Sequence, residues 1–162
     1  RRVTVGSQTP EFATLQIRRT FAAPREKVFR AWTEVEALDH WMCRDVPTHE
    51  VKYLELSVRT GGRYRIEVKD PAGETYLGQG IYREVKPPEK LVFTWAWTKS
   101  SSTPDDSLQT KDSLITVEFF ARGNSTEVVL TQELLQNQAS RDSHKKGWEG
   151  CFNKLAEYLA VC

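Results

Sequence analysis

The chain has 162 residues, 39% of them hydrophobic and 28% charged, which suits one globular domain with a single substantial core. Its 23 Lys and Arg against 22 Asp and Glu leave a formal net charge of +1, so the basic surplus of a generic nucleic-acid binder is missing. No apolar run approaches the ~20 residues of a membrane span.

Residues 1–11 begin without Met and hold no apolar stretch of the kind a secretory signal needs. With Gly6, Ser7, Gln8 and Pro10 and little to bury, they are expected to form a flexible tail. Residues 12–20 predict the first strand, because Leu15 and Ile17 alternate with Gln16 and Arg18. Pro24 suits the first position of a short helix, in which Val28 and Trp32 share a face with Phe29 beside them. Thr33 and Glu36 then form a capping-box pattern opening a second short helix through Leu38 and Trp41, and Pro47 closes that region.

The next eighty or so residues read as strands, at 50–58, 63–69, 75–85, 90–98, 113–121 and 126–134. Gly61-Gly62, residues 70–73 and residues 122–125 are turns. Pro87-Pro88 ends one strand, because neither proline donates to a ladder. In 90–98, Leu91, Phe93, Trp95 and Trp97 fall on one face, and Val92, Thr94 and Ala96 on the other. Gly78-Gln79-Gly80 lacks the strand-to-helix setting of a phosphate loop and reads as a bulge or sharp bend. Residues 99–107 make a long polar loop, either simply solvated or, as residues 100–106, a lid. From residue 140 to about 161 the period turns helical, with Trp148, Cys151 or Phe152, Leu155 and Tyr158 or Leu159 in one stripe.

This order of elements predicts an α+β architecture. A curved antiparallel sheet of about six to seven strands wraps around the long C-terminal helix, with two short helices after the first strand. No repeat or second boundary interrupts residues 12–162, which read as a single domain.

Residues 23–32 (Ala-Pro-Arg-Glu-Lys-Val-Phe-Arg-Ala-Trp), Leu38-Asp39-His40-Trp41, residues 87–95 (Pro-Pro-Glu-Lys-Leu-Val-Phe-Thr-Trp) and His144-Lys145-Lys146-Gly147-Trp148 followed by Leu155 come in a recognisable order. Together they resemble the helix-grip fold of the START/SRPBCC superfamily, shared with the birch-pollen allergen. Within it they resemble the AHSA-like branch, related to the activator of the heat-shock-protein-90 ATPase. The resemblance covers roughly residues 12–161. The true co-chaperone also has a separate N-terminal chaperone-binding domain, to which nothing in this sequence corresponds. What the resemblance implies is a space between sheet and final helix that holds a small ligand.

Trp41, Tyr64, Phe93, Trp95, Trp97, Trp148 and Cys151 are the expected lining of such a space, with His144 or the Tyr64 hydroxyl orienting the ligand. The alternative for Trp148 is plain core packing, with Gly147 permitting close approach to the sheet. For His144 the alternative is a hydrogen bond near the helix start. His40, Cys43 and His49 have metal-ligand chemistry without paired spacing, and no metal is assigned to them. Glu67, Glu84 and Glu118 are scattered on strands and read as outward charges rather than acid–base pairs. Cys43, Cys151 and Cys162 match no disulfide framework and read as reduced thiols of an intracellular, cytoplasmic protein.

These readings favour a binding module for a small hydrophobic or amphipathic molecule or lipid, with no cofactor required. The resemblance also implies a chaperone-regulating or stress-linked interaction domain. A cyclase- or hydrolase-type enzyme in the same cavity is a third reading, and it would have to draw on His144, the cysteines or tyrosines.

Overall fold

The computed structural model describes residues 12–99 and 112–161. The tail expected over 1–11, the loop and lid expected within 99–107 (beyond Lys99) and Cys162 lie outside the described residues. The elements run β1 (Ala13–Phe21), α1 (Arg25–Ala31), α2 (Val35–Trp41), β2 (Glu50–Leu56), β3 (Arg63–Lys69), β4 (Thr75–Lys86), β5 (Lys90–Lys99), β6 (Ser113–Arg122), β7 (Ser125–Leu135) and α3 (Gln138–Val161).

The seven strands form one antiparallel sheet in the order β1-β7-β6-β5-β4-β3-β2. Consecutive strands from β2 to β7 are neighbours, as short turns between strands dictate. The exception is β1. Helices α1 and α2 carry the chain from one edge of the sheet to the other, so β1 closes on β7, pairing Phe21 with Thr126 and Ile17 with Leu130. At 24 residues, α3 is about 36 Å long and lies across the inner face of the sheet. Its Trp148, Cys151, Phe152, Leu155 and Leu159 are buried, and Phe152 meets Phe21 of β1 edge-on with ring centres 5.6 Å apart.

Three local expectations are corrected. Thr33 does not cap α2. Only Trp32, Thr33 and Glu34 separate the two short helices, and the Thr33 hydroxyl turns back to the carbonyls of Phe29 (3.2 Å) and Arg30 (3.4 Å), which leaves Glu34 at the N-cap. In β5 burial does not follow strict alternation, since Thr94 and Ala96 are buried while Trp97 is only partly so. The cause sits on β4. A Cβ at Gly80 would lie 1.9 Å from the Thr94 carbonyl oxygen, so only glycine lets the strands come this close. The Ile81 N–H there bonds the Thr94 hydroxyl (2.9 Å), and the formal register shift follows between Tyr82 and Glu84. The third correction concerns α3. Gly147 approaches no strand; the nearest atom to a Cβ there would be Asp45 Oδ2 at 3.8 Å.

Glu67, Glu84 and Glu118 are all partly exposed, and Glu84 pairs with Lys90 (3.6 Å). Among the described residues no helix is long and apolar enough to cross a membrane.

Candidate functional site

Helix α3 packs chiefly on β1 and α2, and the segment after α2 also reaches it. Helix α2 ends at Met42, whose backbone is extended, and Cys43 next takes a left-handed conformation (φ 62°) that redirects the chain. Asp45 then lands on α3 at Gly150, where a Cβ would stand 2.6 Å from the Asp45 Cβ and 3.5 Å from its Cα. Glycine at 150 therefore sets how closely this segment seals the helix.

Beside this contact is a half-open cavity of about 320 Å³. That is roughly ten water volumes and near the lower end of small-molecule pockets. Trp95, Trp97 and Trp148 supply its largest surfaces, and His144 and Cys151 line it from α3. Trp148 is both core and wall. It stacks on Trp32 (5.9 Å between ring centres, 26° between planes) and stands edge-on to Trp95 (6.2 Å, 66°). Gly78 makes room for this cluster, because a Cβ there would reach 2.9 Å from Trp95 and 3.2 Å from Trp97.

The other three expected lining residues stand elsewhere. Trp41 is fully buried in the core, its indole N–H donating to the Ala31 carbonyl (2.9 Å). Tyr64 and Phe93 border a separate inner space of about 20 Å³, shared with Trp95 and big enough for one water. The Tyr64 hydroxyl donates to the Thr94 carbonyl, so it has no proton to offer a ligand. The reason for all three is depth: Trp32 closes on Trp41, and Tyr82 on Tyr64 and Phe93.

The most informative residue was not singled out from sequence. Gln132 on β7 is completely buried and borders the cavity. It accepts the Trp148 indole N–H (2.9 Å) and donates to the Ser113 hydroxyl (2.8 Å), which donates in turn to the Trp95 carbonyl (3.0 Å). This chain ties α3, β7, β6 and β5 together at the cavity floor and leaves no buried amide unpaired. Its signal was legible: Gln132 continues the inward parity of Val128 and Leu130. Asp45, Val46 and Met42 also line the cavity, and no periodicity marks loop residues of this kind.

His144 Nδ1 sits 2.8 Å from the Ser140 carbonyl one turn back. A carbonyl only accepts, so Nδ1 carries the N–H of that bond. Cys43 and Cys151 both border the cavity. Burial pushes the Cys43 thiol well above its ordinary pKa, with the neighbouring Cys151 and Asp45 adding to the effect. Burial and the Asp45 carboxylate push Cys151 up to about 12, and its Sγ donates to Asp45 Oδ1 at 3.7 Å. Both shifts run opposite to those of a thiol activated as a nucleophile. Of the residues weighed for a metal, Cys43 and His49 border the cavity, whereas His40 stacks on Tyr158 of α3 (4.8 Å). The described residues contain no group of three His, Cys, Asp or Glu placed to hold a metal.

The family model described as Activator of Hsp90 ATPase homolog 1-like protein matches residues 22–160. The chain belongs to this family. The match spans α1 through α3, the whole frame of the cavity, and sets the chain in the AHSA-like branch of the START/SRPBCC fold. Among solved structures it resembles protein CV1439 from Chromobacterium violaceum, at 25% identity and a TM-score of 0.80 over 92% of this chain and 98% of that one. It also resembles a putative uncharacterized protein from Rhizobium leguminosarum, at 26% identity and 0.76 over 93% and 95%. The AHSA1 (SPO3351) protein from Silicibacter pomeroyi, at 24% identity and 0.77 over 92% and 99%, shares the fold. No curated protein matches the chain. The AHSA-like fold is associated in general terms with ligand binding or co-chaperone action.

Proposed function

We propose that residues 12–162 form one binding domain that holds a small hydrophobic or amphipathic molecule between the sheet and α3, in a cytoplasmic protein. The observation that carries this reading is the 320 Å³ cavity walled by Trp95, Trp97 and Trp148. A core of close-packed aromatics ordinarily closes on itself, and spaces larger than a water are few. Asp45, which meets α3 at Gly150, and Gln132 both border this one. A ligand that buries ~150 Å² of apolar surface there gains about 4 kcal/mol from burial alone. In this reading His144, which lines the cavity from α3, orients the ligand.

Native and denaturing mass spectra of protein purified gently from its host test the reading. A mass excess that disappears on denaturation is the expected result. A bare 18.6 kDa protein that also shows no change in tryptophan emission with any apolar probe would overturn it. A chaperone partner is the second reading, and it rests on the family description alone. Stimulation of an Hsp90-type ATPase by excess protein is the assay that would favour it.

A further inference from the structure

The polar lining of the cavity is lopsided. None of its described lining residues is Lys or Arg. It does contain a carboxylate, Asp45, which is exposed to solvent, accepts from the Cys151 thiol (3.7 Å) and makes no ion pair among the described residues. The adjacent Arg44 does not neutralise it. Its guanidinium is turned the other way, onto the Asp39 carboxylate (2.7 Å) and the Asp39 carbonyl (2.9 Å).

The other polar lining groups are of mixed kind, with His49, Tyr76, Ser143 and His144 beside the two thiols of Cys43 and Cys151. Gln132 is sealed beneath them, its Oε1 taken by the Trp148 N–H. What the tryptophans offer is ring surface. Trp95 lies at 65° to Trp97 and at 66° to Trp148, so the three rings form adjoining walls rather than a stack, and Tyr76 adds another ring.

We infer that the ligand of this cavity is a small organic cation, an alkyl- or arylammonium, held by the Asp45 carboxylate and the tryptophan walls. The inference rests on the ligand-binding reading above and names its chemistry. A cation gains from both elements, through direct Coulomb attraction and through the negative faces of the indoles. An anion of the same size meets a carboxylate and no Lys or Arg. A neutral molecule uses the walls and leaves the carboxylate idle.

The test compares three probes of nearly equal shape, followed by calorimetry and tryptophan emission at about pH 8. They are benzyltrimethylammonium, neopentylbenzene (the same skeleton with carbon in place of the charged nitrogen) and phenylacetate. The ammonium is expected to bind about ten-fold more tightly than neopentylbenzene, and phenylacetate weakest of the three. Asp45→Asn, checked for an unchanged circular dichroism spectrum and melting temperature, is expected to remove most of that preference. Neopentylbenzene or phenylacetate binding as tightly as the ammonium would overturn the cation assignment and leave the cavity reading standing. So would a preference untouched by Asp45→Asn. If none of the three binds, the cavity reading itself has failed and the cation assignment falls with it. The wild-type comparison needs no variant, so a misfolded Asp45→Asn protein does not rescue the inference.

Discussion

Gln132→Leu isolates the hydrogen-bond chain at the cavity floor. Leucine matches the apolar surroundings and fills most of the same volume, so burial itself changes little. The loss is specific: the Trp148 indole N–H, 2.9 Å from Gln132 Oε1, is left buried without an acceptor. Ser113 suffers less, because its hydroxyl still donates to the Trp95 carbonyl at 3.0 Å. A stranded buried donor costs about 1–3 kcal/mol. In a domain of this size about 2 kcal/mol lowers the melting temperature by roughly 4–8 °C. Trp148→Phe removes the donor instead and strands the Gln132 carbonyl, with added loss from a smaller ring. In the double variant Gln132→Leu with Trp148→Phe neither group is left unpaired. Its destabilisation is therefore expected to fall short of the sum of the singles by about 1–2 kcal/mol. Urea unfolding followed by far-ultraviolet circular dichroism measures all four corners of the cycle. Additivity within ~0.5 kcal/mol would show that the bond contributes nothing and would refute the reasoning.

The two α3 glycines facing Asp45 should respond in opposite directions. Gly147→Ala meets only an ordinary contact and is expected to raise stability by up to about 1 kcal/mol through helix propensity, whereas Gly150→Ala drives a methyl onto the Asp45 Cβ and should lower it in thermal unfolding. Gly80→Ala, with its methyl on the Thr94 carbonyl, is expected to cost about 3 kcal/mol and to speed amide exchange along β4 and β5. Because Cys151 is raised in the folded protein to about 12, its stability contribution is complete below the ordinary thiol range. It is lost as pH climbs from about 8.5 toward the folded value, at up to ~1.4 kcal/mol per pH unit. Cys151→Ser should flatten that alkaline slope in pH-dependent denaturation. On a Cys162→Ser background, Cys43 and Cys151 are both expected to react with iodoacetamide far more slowly than free cysteine near neutral pH.

The sheet was readable because alternation and turn chemistry act locally. Every strand from β1 to β7 starts and ends within two residues of its predicted bounds, and the crossover through α1 and α2 follows from their place between β1 and β2. Side-chain destination was harder to read. Trp41, Tyr64 and Trp95 are all aromatics on the inward face of their elements, yet Trp41 is sealed in the core, Tyr64 faces the small inner space and Trp95 reaches the cavity. Which one meets the cavity depends on the curvature that Gly80 admits and on where α3 crosses, neither of which is a pattern along the chain. Asp45 was illegible for a related reason: its role comes from a left-handed turn at Cys43 and from a glycine more than a hundred residues away. Gln132 was legible and passed over, because a polar residue at an inward position carries more information than the apolar ones beside it.

All five tryptophans stand in one unbroken file, Trp41–Trp32–Trp148–Trp95–Trp97, with successive ring centres 4.6, 5.9, 6.2 and 5.4 Å apart. Chromophores this close share their excitation, so a photon absorbed at the sealed Trp41 can leave from the cavity wall at Trp95 or Trp97. The protein thus carries its own light guide from core to pocket. A quencher in the cavity draws down emission from every indole, whereas Trp97→Phe uncouples only the outermost one.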